Sequence, residues 1–177
     1  MSVPDALVAA LELPALRSVP LRRGERELRL WPSNGPVAPS MFVRVVDGRD
    51  VDAAEIFAYW REGPLTQDPG LRATFEARVL EQWQCGPIRY ANGYGFCRVK
   101  VADPARAGAV VAYLDSIGAW GAADSNPNGD QMVIQLDGQS LGMEIRRGSR
   151  YDAQRYMGRN LTAGSRGEAL FRLHTRI

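Results

Sequence analysis

Short turns between segments of alternating polarity most constrain what this chain can fold into. Asp47-Gly48, Asn92-Gly93 and Asp137-Gly138 each separate two stretches with strand character. Such dipeptides are strong local signals for a β-hairpin. A spacer of two to four residues can join antiparallel strands, whereas a parallel crossover needs about a dozen residues or more. The chain is therefore predicted to form a mainly antiparallel sheet.

Alternation also locates the strands, from which a sheet of about six to seven strands is predicted. One segment is ambiguous because Asp52 could cap a helix. Residues 56–60 favour β-structure through their aromatic and β-branched side chains, and a strand is predicted there. Residues 32–39, which are rich in proline, are predicted to be a loop. The segments with strand character are residues 28–31, 41–46, 51–60, two parts of 88–101, 132–136, 141–145 and 151–155.

Two segments carry clear helix signals. Asp68 fits an N-cap and Pro69 the first helical position, and apolar residues then recur every four positions as far as Trp83. A second helix is predicted to begin at Pro104 and to end at Gly118. The segment of residues 165–173 has a weaker helix signal. The predicted class is α+β, with both firm helices packed on one face of the antiparallel sheet.

The composition fits one globular domain. Of the 177 residues, 45% are hydrophobic and 24% are charged, which are ordinary values for a folded chain. Residues 1–24 are predicted to form an N-terminal arm, and residues 25–177 a single α+β domain. The net charge of +2 gives no case for a nucleic-acid partner. No stretch approaches the ~20 apolar residues that span a bilayer.

Cys85 and Cys97 are the only cysteines. With a single histidine they are too few for a structural zinc site, and neither a metal nor a cofactor is predicted. A bend at Gly86-Pro87 could bring the two cysteines within disulfide reach, and two buried free thiols are the alternative. A disulfide implies an oxidising compartment. We therefore expect a periplasmic or secreted protein if a leader has been removed, and a cytoplasmic protein otherwise.

Glu55 and Glu144 are the candidate catalytic residues. Each lies in a predicted strand, and two carboxylates that face one cleft can serve as acid and base in hydrolysis. However, Glu144 falls on the polar face of its strand beside Arg146, so a solvated surface is the simpler explanation for it. The sole histidine, His174, lies near the C-terminus, which disfavours a catalytic triad.

Aromatic residues and one arginine form the candidate binding set. These residue types are enriched at recognition surfaces, although they also fill ordinary cores. The candidates are Trp60, Tyr90 and Tyr94 near the predicted hairpin, and Tyr151 and Arg155 in the last predicted strand.

Three stretches resemble a pattern found in small, uncharacterised bacterial proteins, many of them secreted or lipid-anchored. They are residues 55–60 (EIFAYW), the two cysteine segments with residues 117–120, and residues 137–138 with 143–146 and 148–151. The resemblance covers roughly residues 41–160. It implies an envelope location and a disulfide, and no activity.

Three hypotheses follow for the function. The first is a non-enzymatic envelope or accessory domain that recognises a protein or a small ligand through its sheet or hairpin surface. The second is a small hydrolase that uses Glu144 or Glu55 in an aromatic-lined cleft. The third is a cytoplasmic toxin-neutralising or regulatory partner with an exposed aromatic patch.

Overall fold

The structure, a computed structural model, describes residues 5–33, 39–48, 53–99, 105–121, 140–157 and 166–175. Within these residues, seven antiparallel strands form one sheet, accompanied by two substantial helices and several short ones. The predicted α+β class is confirmed. The strands are β1 (Arg26–Ser33), β2 (Ser40–Asp47), β3 (Ala53–Arg61), β4 (Arg89–Ala91), β5 (Tyr94–Val99), β6 (Ser140–Arg147) and β7 (Arg150–Met157); the helices are α1 (Asp5–Ala10), α2 (Pro64–Gln67), α3 (Pro69–Trp83), α4 (Ala105–Ser116) and α5 (Arg166–Phe171).

The strand order is β4-β5-β3-β2-β1-β6-β7. Every neighbouring pair is antiparallel. The ambiguous segment forms β3, a strand and not a helix, as predicted. The segments predicted as strands at residues 141–145 and 151–155 form β6 and β7, which pair as a hairpin. The strand predicted at residues 132–136 lies outside the described residues.

One loop prediction is wrong at its first two positions. Pro32 and Ser33 continue β1, where they pair with Leu141 and Ser140 of β6. The ladder between β1 and β2 ends at Leu30 opposite Val43. Beyond Leu30 only one side of β1 is paired, so a proline without a backbone N–H is tolerated there.

One face of the sheet, which we call the helix face, carries the main core. Leu30 of β1, Val43 of β2 and Met143 of β6 lie on it and are buried. Helix α4 covers this core with Val110 and Leu114. Helix α3 covers the other end of the same face, where Val79 packs with Trp60. Both firm helices therefore lie on one face, as predicted.

The opposite face, which we call the charged face, is covered by the N-terminal segment. Leu7 and Val8 of α1 are buried against Phe42 of β2 and Phe57 of β3. Leu16, in a single 3-10 turn after α1, is also buried. The apolar residues of the segment predicted as an arm thus pack directly on the sheet.

The hairpin of β4 and β5 has the geometry that its turn sequence predicts. Ala91 pairs with Tyr94, which leaves Asn92 and Gly93 as a two-residue turn. Both have positive φ, 52° and 77°, the backbone that a type I′ turn requires.

Candidate functional site

A row of charged side chains crosses the charged face. Cross-strand register aligns Glu55 on β3 with Arg44 on β2, Arg44 with Arg29 on β1, and Arg29 with Glu144 on β6. Because partners in an antiparallel sheet point to the same side, these four residues share one face. We call them the charged row.

Hydrogen bonds connect the row at its centre through Glu27 of β1. Arg44 donates from Nε to Glu27 Oε1 at 2.7 Å, and Arg29 donates from Nε to the same oxygen at 2.8 Å. Arg29 also donates from Nη1 to the carbonyl oxygen of Pro14 at 2.8 Å. Since Arg29 is 0% exposed, its charge is stabilised by these partners and not by water.

Electrostatics keep Glu27 ionised despite its burial. Burial alone would raise the pKa of Glu27, but the hydrogen bond from Arg44 and the charges of Arg29 and Arg44 outweigh it and hold the pKa below its ordinary value. The structural role of this carboxylate is therefore to neutralise two arginines inside the domain.

The two candidate catalytic carboxylates do not face each other. Glu55 accepts hydrogen bonds from Arg44 Nη1 at 2.8 Å and from Arg98 Nη2 at 2.6 Å. Glu144, which is 3% exposed, accepts one from the hydroxyl of Tyr151 at 2.6 Å. Three strand spacings separate the two residues, about 14 Å along the sheet, whereas paired carboxylates in glycoside hydrolysis stand roughly 5–10 Å apart.

On the helix face, the β4–β5 hairpin meets α3 in a second cluster. Tyr90 of β4 lies beneath the guanidinium of Arg72, whose Cζ is 3.8 Å from the ring centre. The Tyr90 hydroxyl donates to Glu76 Oε1 at 2.8 Å, and the Trp60 ring meets Tyr90 edge-on at 6.1 Å. Arg72 Nε also donates to Glu76 at 2.8 Å. Tyr90 is therefore held on three sides.

Leu80 extends this cluster along the helix. Arg72, Glu76 and Leu80 are spaced four residues apart, so they follow one flank of α3. Leu80 is 40% exposed and is one of three exposed large apolar residues in the described part of the chain, with Leu65 and Leu71. We call the set of Arg72, Glu76, Leu80 and Tyr90 the helix–hairpin surface.

Burial and the carboxylate of Glu76 raise the pKa of Tyr90 to about 12. The phenol therefore stays protonated throughout the neutral range and acts as a hydrogen-bond donor. The same two causes, burial first and then Glu144, raise the pKa of Tyr151 on the other face. Neither tyrosine is poised to act as a base near neutral pH.

Cys85 and Cys97 are joined beside this surface. Their Sγ atoms are 2.06 Å apart and their Cα atoms 5.7 Å apart, so the disulfide predicted from the sequence is present and neither cysteine is free. Cys85 pairs with Val99 in an isolated bridge, and the amide of Gly86 donates to the carbonyl oxygen of Arg98 at 2.8 Å. The bend at Gly86-Pro87 thus brings the cysteines together.

Four of the five candidate binding residues can be assigned to a face, and they are divided between the two faces. Trp60 and Tyr90 lie on the helix face, while Tyr94 is buried on the charged face beside Tyr59 at 6.3 Å. Tyr151 lies on the charged face, where it is Glu144's partner. Arg155 belongs to β7, and its side chain lies outside the described part.

Sequence reasoning did not include Arg72 and Glu76 among the candidate residues, although a spacing of four residues on one helix is typical of an ion pair. It also missed Glu27, Arg29 and Arg44. The alternation of Leu28 and Leu30 with Arg29 indicates that Arg29 lies on the sheet face opposite to the two leucines. Alternation alone does not show that the N-terminal segment covers that second face.

No group of three or more metal-ligating side chains occurs among the residues that the structure describes. In the same part of the chain, no helix combines the length and the apolar character needed to cross a membrane. Comparison of the chain with protein-family models, curated proteins and solved structures gives no match. We therefore base the functional inference on the geometry of the two faces.

Proposed function

We propose that this chain is a recognition domain that binds a partner protein through the helix–hairpin surface. The observation that carries the proposal is the fixation of Tyr90 by Arg72, Glu76 and Trp60 beside the exposed Leu80. A tyrosine held in one orientation loses little conformational entropy when a partner binds. Tyrosine and arginine are also the residue types that dominate interface energies.

The competing locations support the proposal less well. The apolar end of the charged face is occupied by the N-terminal segment, so a partner would have to displace it. Glu55 and Glu144 are engaged by arginines or a tyrosine and stand three strands apart, which disfavours hydrolysis by paired carboxylates. A disulfide is typical of oxidising compartments, which favours an envelope or extracellular setting for the recognition.

Site-specific photo-crosslinking in cells of the native host would test the proposal. The exposed Leu80 is replaced by p-benzoylphenylalanine, and the exposed Ala112 of α4 is replaced in a matched control. We expect one discrete adduct from position 80 that position 112 does not give. The crosslinked protein is identified by mass spectrometry and then purified for titration.

Titration with that partner gives the quantitative test. Arg72→Ala and Tyr90→Ala should each weaken the affinity about tenfold or more, as interface anchors do. Ala112→Glu should leave the affinity unchanged, and circular dichroism should show that all variants are folded. Equal labelling at both positions, or full affinity in both anchor variants, would overturn the proposal.

A further inference from the structure

We infer that the Cys85–Cys97 disulfide controls the helix–hairpin surface, because it joins the chain directly after α3 covalently to the sheet. Oxidised protein presents the surface, and the dithiol form does not. This inference rests on the proposed function and adds its regulation.

Few residues of α3 are fully buried. Val79 is the only fully buried residue among the fifteen of this helix, while Leu71 is 51% exposed. Helix α4 is shorter, yet it buries Ala107, Val110, Val111 and Leu114. Since helices in proteins are stabilised mainly by the burial of an apolar face, α3 needs a further source of stability.

The disulfide lies where it can supply that stability. The fully buried residues of the cluster beneath α3 are Ala58, Trp60, Val79 and Cys97, and Phe75 and Trp83 of the helix pack against them while partly exposed. Cys97 belongs to β5 and pairs with Ala58 of β3 inside the sheet. Cys85 follows the end of α3 by two residues. The bond therefore fixes the end of the helix directly to the interior of the sheet.

The same attachment positions the helix–hairpin surface. Arg72 and Glu76 come from α3, whereas Tyr90 comes from the segment between the two cysteines, which are 12 positions apart. Reduction frees both ends of that segment at once. After reduction, α3 is held to the sheet by the packing of Phe75, Val79 and Trp83 and by the stacking of Arg72 on Tyr90. The stack is a partly exposed contact and adds little to this packing.

Exposure also decides which sulfur reacts. Cys97 is 1% exposed, whereas Cys85 is half-buried. In oxidation, the Cys85 thiolate attacks the disulfide of a thioredoxin-fold oxidant and releases one of its thiolates. This step leaves Cys85 in a mixed disulfide with the oxidant. The Cys97 thiolate then attacks Cys85 Sγ and releases the second thiolate of the oxidant. Two electrons and two protons pass to the oxidant. Reduction by a dithiol follows the reverse path.

Hydrogen–deuterium exchange by mass spectrometry tests the inference on the full chain. Oxidised protein is compared with protein reduced by a phosphine and with the Cys85→Ala, Cys97→Ala double variant. A mass increase of two hydrogen atoms verifies the reduction. We expect backbone amides of α3 to exchange at least about tenfold faster without the disulfide, and those of α4 to keep their rates. If the double variant does not fold, the comparison is made between the oxidised and the reduced wild-type protein.

Equal exchange of α3 in both redox states would overturn the inference, as would equal acceleration of α4, which indicates global unfolding. Crosslinking at position 80 should fall about tenfold in the reduced protein. Crosslinking that is independent of redox state overturns the inference while the proposed function stands. Absence of crosslinking in both states, with the exchange difference intact, overturns the proposed function instead.

Discussion

At the scale of single residues, two tryptophans depend on glycines in the neighbouring strand. The Trp31 indole lies over Gly142 on the charged face, and the Trp60 indole lies over Gly95 on the helix face. A side chain on either glycine would overlap the ring. Glycine is used here for close approach and not for an unusual backbone angle.

Gly142→Ala should therefore lower the free energy of unfolding by about 1–3 kcal/mol, the usual cost of overpacking. The Trp31 ring would have to move because the new Cβ would overlap it. Gly63→Ala is the control, since nothing lies within 4 Å of a Cβ at that position. Urea denaturation gives the free energy of unfolding of both variants and of the wild type. An equal loss in the two would show that the ring does not restrict position 142.

A second prediction at this scale concerns Glu27. Its pKa is lowered in the folded state, so the stability that it contributes is complete above the pKa of the unfolded chain, about 4.5. This contribution is lost as the pH falls through the folded pKa. Stability should therefore decrease on acidification below about pH 4.5.

Glu27→Gln should cost about 3–5 kcal/mol at neutral pH, because it leaves the buried Arg29 without its carboxylate. The difference from the wild type should shrink toward low pH. Glu81→Gln, at an exposed position of α3, should change stability by less than about 0.5 kcal/mol. Thermal unfolding between pH 3 and pH 7 gives the comparison, and an undiminished difference at acidic pH would contradict the pKa argument.

At the scale of elements, α3 depends on its first turn as well as on its last. Asp68 Oδ1 accepts hydrogen bonds from the amides of Gly70 and Leu71, both at 2.9 Å. These satisfy two amides that have no partner within the helix. The cap contributes a larger share of the helix stability here than in a well-buried helix, because α3 has only one fully buried residue.

Asp68→Ala should accordingly destabilise the protein by about 1 kcal/mol, and Asp68→Ser should retain most of the stability. Amide exchange of residues 69–73 should increase in the alanine variant. An unchanged exchange pattern would show that packing, and not the cap, sets the start of the helix.

Prediction from sequence succeeded for elements with local signals. Proline and an N-cap residue marked the start of α3, and the Asn92-Gly93 turn marked the hairpin of β4 and β5. It failed at Pro32, because tolerance of proline depends on whether the partner strand continues beside it. Whether a partner strand lies beside Pro32 depends on the pairing of β1 with β6, and β6 is distant in the sequence.

At the scale of the whole molecule, the sheet is covered on both faces. The N-terminal segment contributes Leu7, Val8 and Leu11 to a buried cluster with Phe42 and Phe57 of the sheet. Sequence alone could not show this, since a short apolar segment interrupted by prolines is also typical of a loose arm. For the same reason, the expectation that Glu144 lies on a solvated surface is wrong, since the residue is 3% exposed.

Leu7→Ala should lower the free energy of unfolding by about 2–5 kcal/mol, the cost of a cavity in a packed core. Ala9→Ser, at an exposed position of the same helix, should have little effect. Chemical denaturation compares the two. If both changes were equally mild, the segment would be a detachable arm and not part of the folded core.

The contact between each tryptophan and its glycine also restricts which substitutions can accumulate during evolution. Trp31 and Gly142 lie far apart in the chain, yet their volumes are coupled across one strand spacing. A lineage that enlarges position 142 must first replace the indole, and one that keeps the indole must keep the glycine. Among homologues these positions should covary as a pair, as should Trp60 and Gly95.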